Sequence, residues 1–270
     1  MRGIALALAL PFCSWLGIAA SGFIVDARGV AAGCVSLATS KGAAIGVLAT
    51  VLIIATAAAA LIGRLVNAVV GMFVVGAALA ALSMRSGAFD AVIFDSGDLN
   101  SLGLETLLWT LPAALATLAV FLASGPLPDV PRRYDDGPWW REYFDFDALR
   151  VGLVGTLMLL VVWLIVRNMM KGQALGGACL GGIAVGMAYR MIAPQVQPVV
   201  AFITPILFLG VGEMLVSRQP PLTTELLFTV NEIAPQTRVM PLDAVAGSFI
   251  GVAIGIGWAR SFRKTDTIPS

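Results

Sequence analysis

The chain has 270 residues, of which 59% are hydrophobic and 12% charged, with a mean hydropathy of +0.91 and a net charge of +1. An average soluble domain is about a quarter charged, so a water-soluble globule could not hide this much apolar surface, and the scattered Lys and Arg exclude a nucleic-acid partner. Histidine is absent, which removes the usual haem axial ligand, the commonest zinc and copper ligand and every Ser-His or Cys-His nucleophilic pair.

Stretches free of Asp, Glu, Lys and Arg cover residues 3–25, 42–63, 65–84, 106–128, 151–166, 172–189, 191–212 and 244–259. A hydrocarbon core of about 30 Å needs roughly 20 helical residues, and flanking arginines extend the shorter runs by snorkelling. Helices are therefore expected near 4–25, 42–62, 66–84, 105–124, 149–168, 173–193, 197–217 and 241–260. The expected fold is all-α, a polytopic bundle of about eight spans in a plasma or bacterial inner membrane, with the lipid bilayer as its first partner.

The first stretch also fits a cleavable secretory signal, with Arg2, an apolar core and Ala19-Ala20-Ser21 before Gly22. Its apolar run continues through Phe23, Ile24 and Val25, longer than a signal core needs, so a retained span is the favoured reading. Ala31-Ala32-Gly33-Cys34 has the look of a lipobox, but Asp26 and Arg28 separate it from the hydrophobic core. Cys13, Cys34 and Cys179 lie far apart in sequence, and no disulfide framework is expected.

Residues 125–149 divide the chain into a first half, 1–124, and a second, 150–270. This linker carries Pro126, Pro128, Pro131 and Pro138, which prevent a continuous helix. Its Trp139, Trp140, Tyr143, Phe144 and Phe146 beside Arg141, Glu142 and Asp145 predict a segment at headgroup level. Each half has a lead span, a close helical pair, a loop of about twenty residues and a final span. The pairs open at Lys41-Gly42 and Lys171-Gly172 and close at Ser83-Met84-Arg85 and Ser217-Arg218. Four spans per half would relate the halves in parallel, an arrangement found in transporters. Counting Lys and Arg in the loops gives ten on the side of the N-terminus and seven opposite, which places both termini in the cytoplasm and Asp90, Asp95, Asp98 and Glu105 outside.

Helices in lipid associate through close backbone contact, so small-residue strips mark contact faces. Gly177, Gly181, Gly182 and Gly186 form such strips on the sixth span, and Gly247, Gly251 and Gly255 on the eighth, with Gly42 and Gly46 on the second. Packing within the chain is the favoured use, ahead of a second copy or another membrane protein.

Ionisable groups inside spans are costly and mark functional candidates. Glu213 is the foremost, and a pair with Arg167 at the end of the fifth span would relieve both. Arg190 reads as a snorkelling anchor, and Asp243 after Pro241 as ordinary helix-start chemistry. Asn67 marks a polar contact; Pro112 and Pro205 mark bends. Gly210-Val211-Gly212-Glu213 resembles the GxGD motif of intramembrane aspartyl proteases. A glutamate stands in place of the aspartate, however, and Tyr134-Asp135 falls in the polar linker, so that assignment is rejected. With neither a nucleophile and base nor a metal loop, no enzyme activity, cofactor or metal is expected. The reading that remains is a small transporter or permease, with a non-catalytic membrane subunit or scaffold as the alternative. A polar cavity between the halves would mark the first, and a tight bundle with an exposed glycine face the second.

Overall fold

The computed structural model is all-helical, and it describes residues 2–95, 98–130, 143, 146–218 and 233–262, leaving aside the side chains at 93–95. The helices are α1 (Arg2–Ser21), α2 (Lys41–Leu65), α3 (Ala68–Ser83), the short α4 (Phe89–Asp95), α5 (Leu99–Ser124), α6 (Phe146–Gly152), α7 (Leu157–Ile165), α8 (Lys171–Ile192), α9 (Val199–Ser217) and α10 (Pro241–Phe262). A 3₁₀ turn, Leu153–Thr156, joins α6 to α7. Of the linker aromatics only Tyr143 and Phe146 are described; Tyr143 is buried edge-on to Phe121, their ring centroids 6.4 Å apart, while Phe146 is exposed. Trp139, Trp140 and Phe144 lie outside the described residues.

Among the described residues, seven helices are long and apolar enough to cross a membrane, with Phe146–Ile165 counted as one. The expected eighth, α3, has only 16 residues, about 24 Å at 1.5 Å per residue, short of a hydrocarbon core of about 30 Å. It is also the most enclosed. Val74, Val75, Ala78 and Leu79 are fully buried among α1, α2 and α10, so its apolar character on all faces suits protein surroundings. Asn67 caps this helix, its side chain accepting from the Val70 amide at 2.9 Å. With α6 and α7 taken as one and the short α4 set aside, successive helices alternate in direction, so the start of α1 and the end of α10 share one end of the bundle, here the near end, opposite the far end.

Glycine welds α8 to α10. A methyl on Gly251 would strike the Cys179 carbonyl oxygen and stand 2.8 Å from the Ile183 nitrogen, and one on Gly182 would stand 3.0 Å from the Gly247 oxygen. Gly186 and Gly255 extend the seam, whereas Gly177 and Gly181 face Val166 and Met158 on the other flank of α8. Gly42 and Gly46 correct the expectation for the second span, because nothing lies within 4 Å of either one's would-be methyl.

Two helix crossings are built alike. Where α3 meets α10, the Ser83 hydroxyl donates to Asp243, and a methyl on Gly76 would stand 2.9 Å from the Ile250 nitrogen. Where α9 meets α5, the Ser217 hydroxyl bonds Asn100 Oδ1 at 2.7 Å, and a methyl on Gly210 would stand 2.9 Å from the Leu107 nitrogen. The glycine precedes the serine by seven residues in both α3 and α9, and the packed residue follows Asp243 or Asn100 by seven in α10 and α5.

At the near end Arg190 is fully buried and pairs with Asp129, which Arg260 also reaches at 2.7 Å. Arg190 donates further to the Pro194 carbonyl at 2.6 Å. It is therefore an enclosed tie between the start of the linker and α8, not a snorkelling anchor. Burial alone would raise the Asp129 carboxyl, but Arg190 and Arg260 outweigh it and hold the group below its ordinary value. The pair's contribution is then present above the usual aspartate value of about 3.9 and lost as pH falls through the lower folded value. Asp129→Asn should destabilise by about 2–3 kcal/mol at neutral pH, less than the ~3–5 of a fully buried pair because Asp129 is 32% exposed. Thermal unfolding in detergent checks this, and the variant's midpoint should no longer carry the wild type's acid-dependent loss below pH ~4.

Candidate functional site

The unusual chemistry gathers at the far end, where α5 crosses α9. Gly103 permits the approach, since a methyl there would lie 3.0 Å from the Met214 nitrogen and 3.2 Å from Glu213 Cβ. Glu213 is enclosed by this contact at 1% exposure, and neither carboxyl oxygen accepts a hydrogen bond from a described residue. The Thr106 hydroxyl stands beside it but donates within its own helix, to the Leu102 carbonyl at 3.2 Å. The expected pair with Arg167 does not form. Helix α7 ends at Ile165, and Arg167 turns outward, its guanidinium 5.6 Å from the Trp163 ring centre and its Nε donating to the Leu164 carbonyl at 3.1 Å.

Glu105, adjacent to Thr106, faces the other way and is nearly buried. Its two oxygens accept from the Val35 and Ser36 amides at 2.8 and 3.0 Å, which fastens the loop between α1 and α2 onto α5. Sequence reasoning placed it among the outer loop acids and missed this role; its position six residues into a capped helix was the available signal. Burial, with the Glu105 charge, pushes the nearby Cys34 thiol up to about 11. Cys13, Cys34 and Cys179 are all free thiols.

Glu105 also lines a cavity of about 430 Å³ between α2 and α5, with Lys41, Leu48, Leu52, Leu108 and Pro112 among its walls. Its volume falls within the ~300–1,000 Å³ typical of small-molecule sites. The cavity is largely apolar, and its lining residues Ser36, Lys41, Ser101 and Glu105 lie toward its far-end mouth. It belongs to the first half and is not the polar cavity between halves that the transport reading anticipated.

Asp243 forms a third polar group at this end. It is fully buried, pairs with Lys171 at 3.1 Å, accepts from Ser83 and receives the Met240 amide at 3.3 Å. Lys171 also donates to the Gly87 carbonyl at 3.0 Å. The helix-start reading accounts for the Met240 amide alone; Lys171 and Ser83 escaped it because 72 and 160 residues separate them from Asp243 in sequence. The structure thus brings Asp243 to Lys171 and Arg190 to Asp129, and leaves Glu213, Arg167 and Asn67 apart. Compared with protein-family models, with curated proteins and with solved structures, the chain matches none.

Proposed function

We propose that the chain is a small membrane carrier for an apolar or amphiphilic substrate, with Glu213 as the group that takes up and releases a coupling proton or cation. The observation that carries this reading is the enclosed Glu213 carboxyl, whose oxygens find no hydrogen-bond donor among the described residues. An uncompensated charge in such surroundings is costly, and a proton or bound cation removes the cost, so the group changes state with what it binds. Intramembrane acids of this kind line ion and proton pathways. The group sits at the α5–α9 crossing, where we propose that two parallel four-helix units, 1–124 and 150–270, meet. The twin Ser–Asp and Ser–Asn contacts and the twin glycine contacts support that duplication.

The alternative is a subunit assembled through glycine faces: the strips on α8 and α10 are spent inside the chain, and the exposed Gly42 and Gly46 on α2 are the face that favours it. The test is proton entry into energised vesicles of native lipid extract, reported by an internal pH dye. Wild-type protein should carry protons well above protein-free vesicles, and Glu213→Gln should lower the flux at least about tenfold, a difference of some 1.4 kcal/mol in barrier. Equal flux through the two proteins, or none above background through either, overturns the reading.

A further inference from the structure

The twin crossings put a register on the two halves, and in that register the cavity has a counterpart. Counting from Asn100, Leu104, Leu108 and Pro112 stand four, eight and twelve residues along α5; counting from Asp243, Gly247, Gly251 and Gly255 stand at the same intervals along α10. On the facing helices, Leu48 and Ala49 follow Lys41 by seven and eight residues, as Ala178 and Cys179 follow Lys171. One half therefore closes this seam with glycine, and the other holds it open with leucine and proline. Leu104 and Leu108 are 50% and 64% exposed, so the gap opens sideways to the surroundings of the bundle. Its mouth differs too. Lys171 is spent on Asp243, whereas Lys41 is exposed and makes no ion pair among the described residues, because Asn100 stands where the aspartate would be.

We propose that the cavity between α2 and α5 holds one acyl chain and the dipolar head of a zwitterionic aminophospholipid drawn from the surrounding leaflet. The apolar walls match the chain. The mouth carries one charge of each sign. Lys41 suits the phosphodiester, and Glu105, held in place by the Val35 and Ser36 amides, the Ser36 hydroxyl and the Trp109 indole, supplies a fixed negative charge for the ammonium. A purely anionic head would meet Glu105 unpaired, and a purely cationic one would meet Lys41. The assignment deepens the carrier reading by naming its substrate class. Because it is tested by binding, a silent Glu213→Gln flux experiment would leave it standing.

The experiment titrates full-length protein in neutral detergent with phosphatidylethanolamine bearing a pyrene label on one chain. Phosphatidylglycerol and diacylglycerol with the same labelled chain are compared. Phosphatidylethanolamine should bind saturably and about tenfold more tightly than either, the equivalent of one charge-assisted contact. Lys41→Gln should remove that advantage and leave diacylglycerol binding unchanged. Ala49→Trp and Ile45→Trp, both at exposed lining positions, should each weaken all three ligands at least about tenfold, with size exclusion confirming the folded state; either variant serves if the other misfolds. Equal affinity for the three heads, preference for phosphatidylglycerol, or binding indifferent to both tryptophans, as for lipid merely coating the bundle, overturns the proposal.

Discussion

Gly251→Leu should yield no folded monomer from detergent, while Gly46→Leu should behave as wild type. The two glycines occupy matching small-residue motifs and differ in surroundings. At Gly251 the added atoms meet backbone, the Cys179 carbonyl oxygen and the Ile183 nitrogen, which cannot yield without separating α8 from α10. This is the most extensive helix contact in the bundle, and α10 is also its most buried long helix. Overpacking by a few methylenes costs typically ~1–3 kcal/mol where side chains can shift, and a rigid backbone seam is less forgiving. Gly251→Ala, whose methyl already meets this backbone, should therefore lose at least the upper end of that ~1–3 kcal/mol range. Fluorescence-detected size exclusion and the thermal midpoint separate the three variants. A Gly251→Leu protein eluting and melting like wild type would mean that the seam is not closed in solution.

Lys171→Met should destabilise by about 3–5 kcal/mol, the usual cost of stranding one member of a buried pair. Asp243 has no exposure, and Lys171 only 12% at its side chain, so solvent can replace little of what is lost. The Ser83 hydroxyl and Met240 amide remain as donors, which places the expected loss in the lower half of that ~3–5 kcal/mol range. Asp243→Leu should cost a similar amount by stranding the ammonium. The double change should cost much less than the two singles together, since neither charge is then left alone. Chemical denaturation of the four proteins gives the coupling directly, and additive losses would show that the two groups do not depend on each other.

Most of the bundle was legible in the sequence because lipid imposes one simple demand, a charge-free run long enough to satisfy its own backbone. Leu99–Ser124 began earlier than expected, since Glu105 ends the charge-free run but is accommodated inside the helix by two loop amides. α3 shows the limit of the run-length argument in the other direction. Its 65–84 stretch is long enough on paper, yet the chain turns at Val66 and Asn67, and the helix that follows is lined by protein. Of the polar groups, Arg190 and Asp243 were located but their partners were not. Asp129 is 61 residues from Arg190, and a pairing at that separation leaves no local spacing to find. The strips on α8 and α10 could be read as contact faces from their spacing, whereas spacing gave the same answer for Gly42 and Gly46, where the contact is missing.

The enclosure of α3 bears on how the molecule comes to exist. Its walls are α1 and α2 on one side and α10 on the other, and α10 is the last of the described helices to leave the ribosome. Until then the flank bearing Gly76 and Ser83 has only temporary neighbours. Helix α10 acts as a keystone, and a nascent chain stopped short of it would present an unclosed core to the membrane's quality-control proteases.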